Sequence, residues 1–270
     1  MFLSRLFASS VACLFAVSCA AHEFWLEPQQ YQVTSGMPIV ASLKNGENFR
    51  GTDFAWFDRR ILRFDAYQNG NVTPVTGRAG DVPAVRFATD QAGLVVFAHE
   101  AAMQTVAYRD WQGFVDFATH KGYANIVDWH KSRALPEPPF EEGYRRFVKS
   151  LVAVGDGAGQ DQATGLLTEF VALANPYRMP PEYGLPVQLL YKGQPRQNAL
   201  IEVFERAPDG TVGVFTVETD ATGQATIPIR ANHSYLLDSV VLRPPSDADA
   251  AKYGIVWESL WASLTFHVPK

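Results

Sequence analysis

The stretch "SCAAHEFWLEP", residues 18–28, places a histidine where a chain of this kind would be cut. A histidine that became the first residue of a processed chain would offer two nitrogens, its α-amine and its imidazole, and could close a chelate ring on a metal. Borderline ions such as Ni(II), Co(II), Cu(II) and Zn(II) favour imidazole nitrogen. The amine has an ordinary pKa of about 7.7–8.0 and must lose its proton to bind, so such a site would weaken in acid. The ordinary alternative is that His22 only begins a strand whose Trp25 and Leu26 fill the core.

One residue is not a site, and the other histidines are His99, His120, His130, His233 and His267. His99 with Glu100 ends an apolar run, where a pocket rim could form, and these two are the candidates for completing a shell with His22. Asp116 and His120 stand four apart and would share a helix face, but a cation just before Lys121-Gly122 also suits a helix C-terminus. His130, beside Trp129, reads as helix-surface packing, His233 as a turn residue, and His267 as a solvent-facing position on the last strand. Glu169 and Glu258 interrupt apolar runs. A buried carboxylate needs a cationic or hydrogen-bonding partner, and Arg59, Arg60 and Arg63 could supply one. The same two acids would also suit a glycosidase, which needs a separation the sequence does not give. G-x-S-x-G, HExxH and calcium-loop motifs are absent, as is a glycine-rich phosphate loop, so no catalytic residue is assigned.

The elements that must position these residues begin with a leader. Arg5, the apolar run Leu6–Val17 and the small residues Ser18, Cys19, Ala20 and Ala21 have the three parts of a secretory signal. Cleavage after Ala21 would expose His22, cleavage after Ala20 would leave Ala-His, and lipidation through Cys19 is a third route. The apolar run is too short to span a bilayer, where about 20 residues are needed. The expected location is therefore periplasmic or secreted, with no membrane-spanning segment after processing. Both cysteines, Cys13 and Cys19, lie in the leader, so the processed chain must be held by its core and not by disulfides. Losing Arg5 moves the net charge from −5 to −6, which gives no basic patch for nucleic acid.

Downstream, 22–107 alternates in short runs broken by Asn-Gly, Gly-Asn and Ala-Gly, as an antiparallel β-sandwich would. Residues 108–155 carry a helical insert near 108–133, with Asp110 as cap and Gly122 as stop, then a return strand; "YRRFVKSLVAVG" begins as either element. A polar, flexible-looking stretch, 156–165, opens a connecting segment, 156–184. From 185 to 270 alternation returns, with turn chemistry at Pro208-Asp209-Gly210 and Ala221-Thr222-Gly223. The expected fold class is mainly β: two β-sandwich-like units with a helical insert between them.

"AHEFWLEP", "NGENFRGTDFAWFDRRILRF", "GRAGDVPAVRF", "TEFVALANPY" and "VWESLWASLTF" together resemble a bacterial family of unknown function described as periplasmic components of cobalt and nickel uptake. "GQPRQNALIEVF" and "TDATGQATI" resemble transthyretin-like or carboxypeptidase-regulatory sandwiches, in which Asp220 and Gly223 would be turn residues. The first resemblance implies a non-enzymatic divalent-metal (nickel or cobalt) binding or delivery protein, partnered by a membrane metal transporter or outer-membrane receptor; the His22 donors leave copper open as the ion. Two other readings stay open: a copper oxidase of the polysaccharide-cleaving kind using an N-terminal His, and a structural or ligand-presenting module.

Overall fold

The computed structural model describes residues 22–270, so the expected cleavage at Ala20 or Ala21 and the lipidation route at Cys19 lie outside the described residues. The chain is mainly β, of sandwich class, with a short helical insertion. In the first part β1 (Glu23–Pro28), β2 (Gln32–Val33), β3 (Ile39–Glu47), β4 (Arg50–Phe54), β5 (Ile61–Gln68), β6 (Asn71–Pro74), β7 (Val85–Phe87), β8 (Gly93–Ala101) and β9 (Gln104–Tyr108) follow one another. Helices α1 (Trp111–His120) and α2 (Ile126–Ser132) interrupt them before the long β10 (Phe140–Val154) and β11 (Thr168–Ala172). The rest comprises β12 (Leu185–Tyr191), β13 (Gln194–Pro195), β14 (Leu200–Arg206), β15 (Val212–Glu218), β16 (Gln224–Ile227), β17 (Ser234–Arg243), α3 (Asp247–Tyr253) and β18 (Ile255–His267).

A ten-stranded sheet, ordered β15-β14-β17-β18-β10-β8-β5-β6, runs through the molecule. Its two halves join where β10 and β18 pair in parallel, from Glu141 opposite Ile255 to Ser150 opposite Thr265. That pairing settles the ambiguous 144–155 segment as strand as far as Val154, with Gly155 opening the next turn: a central strand covered on both faces reads as an apolar run rather than as alternation. The period of two sorts its side chains. Val95 and Phe97 of β8 pack towards the β1-β3-β4 sheet, in a core with Leu26, Ile39 and Val152. Leu94 and Val96 face the other way, towards Phe170, Leu185 and Ile227 of the β11-β12 sheet. Helices α1 and α2 cover Val240, Leu242, Trp257 and Trp261 through Phe114, Phe117 and Ile126.

Local signals explain the insertion. Asp110 caps α1 by accepting from the Gly113 amide at 2.8 Å, and Gly122, at φ +91°, ends it in a conformation that favours glycine. The loop 156–165 is pinned rather than loose. Lys149, buried on β10, meets Asp161 at 2.7 Å and donates to the Gln162 carbonyl, while Glu169 accepts from the Thr164 and Gly165 amides.

Strand β1 is held in an unusual way. One edge pairs with β3, from Glu23 opposite Gly46 to Pro28 opposite Ala41. On the other, the Phe24 and Leu26 carbonyls accept from the hydroxyls of Ser263 and Thr265 on β18, at 2.8 and 2.7 Å. With Trp25 and Leu26 fully excluded from water, burial adds roughly 2–3 kcal/mol for each large apolar side chain.

Candidate functional site

The head of β1 is where the sequence and the structure converge. His22 is exposed, and its imidazole Nε2 stands 3.5 Å from Glu47 Oε1 at the end of β3. Both side chains are about half exposed, so the pair contributes little to stability and costs little to open. The next residue is anchored firmly. Glu23 shares the buried phase of the strand with Trp25 and enters a cluster of charge beneath α1.

At the centre of that cluster is Lys121, the residue that follows α1. Its ammonium donates to Glu202 Oε2 on β14 and, at 3.0 Å, to Asp238 Oδ2 on β17; Glu23 Oε1 lies 3.8 Å away and the Trp261 ring 4.7 Å away. His120 reaches down from the surface to Glu202 Oε1 at 2.7 Å. Burial alone would lower the Lys121 pKa, but Asp238, Glu202 and Glu23 outweigh it and hold it up at about 12. Glu23 is pushed up to about 8, by burial first and by repulsion from Asp238 second, so it carries its proton at neutral pH. Its Oε2 and Asp238 Oδ1 have no hydrogen-bond partner among the described residues. Alongside, Glu142 is raised to about 7 by burial, against the Ser259 hydroxyl, Tyr108 and Arg146, which favour its charge. The ammonium sits between the Glu202 and Asp238 carboxylates, and β1 itself is fixed by its pairing with β3 and by the Ser263 and Thr265 hydroxyls, which set the place from which His22 projects.

The other sequence-derived candidates are distributed differently. His99 is brought to β1, but through Phe24: the two rings lie 5.9 Å apart and Phe64 stands edge-on at 4.9 Å. Only 2 % exposed, its ring has no hydrogen-bond partner at either nitrogen among the described residues, and burial lowers its pKa to about 3. Glu100 lies opposite Arg63 in the β5–β8 pairing, partly exposed. Neither contacts His22, whose polar partner is Glu47. Among the described residues, no three His, Asp or Glu side chains converge in a way that could hold a metal by themselves.

Several expectations are corrected. His130 is buried, not on a helix surface: Nδ1 accepts from the Trp257 indole at 3.0 Å and Nε2 faces the Pro136 carbonyl at 3.1 Å. His267 stacks on Tyr31 instead of facing solvent freely. Asp116 accepts from Gln112, leaving His120 to Glu202. Glu258 is buried between Arg145 and Arg243, at 2.6 and 2.9 Å, and Glu169 lies beside Lys149; Arg59, Arg60 and Arg63 serve neither.

Sequence reasoning missed Glu47, Glu23, Lys121, Glu202 and Asp238. For Glu23 a signal was present, since alternation puts it on the face of Trp25. For Lys121, Glu202 and Asp238 there was none, because their meeting depends on long-range strand register.

The fold and the head of β1 define a mainly β, sandwich-class protein that presents an exposed histidine from an anchored strand. The chain belongs to the family described as Domain of unknown function (DUF4198), whose model matches residues 19–242. No curated protein matches the chain. Among solved structures it is similar to one described as the D0-D1 domain of Intimin, at 13% identity over 90% of this chain and 97% of that one. The TM-score of 0.20 is too low to carry an argument about fold or role.

Proposed function

We propose that this chain is a periplasmic divalent-metal binding or delivery protein, non-enzymatic, that serves nickel or cobalt uptake with His22 as its first ligand. The observation that carries the reading is the placement of His22: exposed, 3.5 Å from the Glu47 carboxylate, on a strand anchored from its next residue onward. Processing after Ala21 would add the α-amine. Imidazole, amine and carboxylate then make three donors of mixed hardness, a set suited to borderline divalent ions. Anchoring lowers the ordering cost of binding, because only side-chain torsions and the terminal amine remain to be fixed. A three-donor surface site leaves coordination positions open. That suits handover to a membrane transporter or outer-membrane receptor better than permanent storage.

Calorimetric titration of the processed protein with Ni(II), Co(II) and Cu(II) tests this. His22→Ala should lower affinity at least tenfold, about 1.4 kcal/mol. Equal affinity in the two proteins would leave His22 as the start of a strand and nothing more.

A further inference from the structure

Sheet edges expose unpaired backbone donors and acceptors, and proteins normally close them with charge, proline, short length or covering groups. Four edges here are closed in these ways. β6 is short and ends in Pro74. β4 carries Arg50 and Asp53. The outer carbonyls of β1 are taken by Ser263 and Thr265. On β11 the Phe170 carbonyl accepts from Lys149 and the Ala172 amide donates to Asp161.

β15, which ends the ten-stranded sheet, is different. It is seven residues long, "VGVFTVE", and pairs with β14 without a bulge from Val212 opposite Arg206 to Glu218 opposite Leu200. It contains no proline and no lysine, and its one charge is the terminal Glu218. Val214, near its middle, is 48% exposed.

The charges at its two ends say what would pair with it. At the Val212 end, Arg50 donates to the Gly210 carbonyl in the preceding turn; Arg206, the cross-strand neighbour of Val212, is already committed to Glu27 at 2.6 Å. At the other end stands Glu218, about six residue steps and some 20 Å away along an extended strand. An antiparallel second copy would set each Glu218 against the other's Arg50, twice over. A parallel copy would oppose like charges at both ends. A twofold contact of this kind also closes on itself and stops at two. We propose that β15 is a self-association edge: two copies of this chain pair antiparallel along Val212–Glu218 and continue the central sheet across a dimer. This inference is independent of metal binding.

Sedimentation equilibrium of the full processed protein tests it. The wild type should show a monomer–dimer equilibrium. Val214→Lys and Glu218→Arg, both at exposed positions, should each weaken it at least tenfold. Glu218→Arg combined with Arg50→Glu should recover most of the loss, which a merely structural defect would not allow. A monomer at every attainable concentration overturns the proposal. So does a dimer indifferent to both single substitutions, or assembly that continues beyond two.

Discussion

The Lys149 ammonium and the Asp161 carboxylate meet at 2.7 Å with neither side chain exposed to water. Lys149 projects from the centre of β10, and Asp161 comes from a loop whose composition reads as flexible. The same ammonium donates to the Gln162 and Phe170 carbonyls, and Asp161 accepts from the Ala172 amide. A buried pair is not in itself strong stabilisation, but removing one partner strands the other charge, at a cost of about 3–5 kcal/mol. Lys149→Met should therefore lower unfolding free energy by about that much in denaturant titration. Lys149→Met with Asp161→Asn should cost less than Lys149→Met alone. Amide exchange over 156–165 should accelerate in the single variant.

Stability should fall towards both acid and alkali, for separate reasons. His99 is buried, without a hydrogen-bond partner among the described residues, and its pKa is lowered to about 3, so the unfolded chain takes up a proton the folded one refuses. Its contribution is present above the ordinary value of about 6.5 and is lost as pH falls towards 3. Glu142 and Glu23 have the opposite sign: raised to about 7 and about 8, they hold protons in the folded chain that the unfolded chain releases. Their contribution is complete below about 4.5 and is lost as pH rises through 7 to 8. Chemical denaturation between pH 3 and 9 should show His99→Phe losing about 2 kcal/mol less than wild type between pH 4.5 and 3. Glu142→Gln should lose less than wild type between pH 4.5 and 7. A His99→Phe profile parallel to wild type would mean that the imidazole is hydrated after all.

Turn chemistry yields a third expectation. Gly223 sits at φ +74°, and a Cβ there would lie 2.7 Å from Gln188 Nε2 and 2.8 Å from the Arg196 amide nitrogen. Asp220 closes the same turn, accepting from the Thr222 and Gln224 amides at 2.8 and 3.0 Å. Gly223→Ala combines a left-handed backbone penalty with a clash against main chain. It should cost about 2 kcal/mol, read as a fall in Tm. Gly210 has a positive φ but nothing near its Cβ position, so Gly210→Ala should cost only the smaller conformational part.

These turns were legible because their chemistry is local. Asp110, Gly122 and Asp220 do their work within four residues of themselves, and the left-handed turn at Gly223 is equally local; only its close approach to Gln188 and Arg196 is not. The alternating runs likewise gave the mainly β class. The parallel seam of β10 and β18 was not legible: it joins segments more than a hundred residues apart, and its apolar run suits a helix or a strand equally. The same distance hid the partners of Glu258, because nothing in "VWESLW" points to Arg145 and Arg243 rather than to a nearer arginine cluster. Of the candidate site, His22 could be read from its place in the chain. Glu47 could not, because the β1–β3 register delivers it.

Metal affinity separates the two possible shells around His22. If the carboxylate comes from Glu47, Glu47→Gln should lower Ni(II) or Co(II) affinity about tenfold, or 1.4 kcal/mol, while His99→Phe leaves it unchanged. If His99 and Glu100 complete the shell, the pattern reverses. Reaching His99 would require Phe24 to leave a ring contact at 5.9 Å and expose a residue now only 2% accessible, so the Glu47 shell demands less rearrangement. One extra residue ahead of His22 should also weaken binding, because it moves the amine without altering any side chain, whereas a plain imidazole–carboxylate pair would tolerate it. Affinity should fall as pH drops below about 7.7, where the amine gains its proton. Calorimetry on wild type, Glu47→Gln, His99→Phe and the extended protein at two pH values reads all of these effects together. Loss in His99→Phe with none in Glu47→Gln would move the site inward to His99. Indifference to the added residue would remove the amine from it.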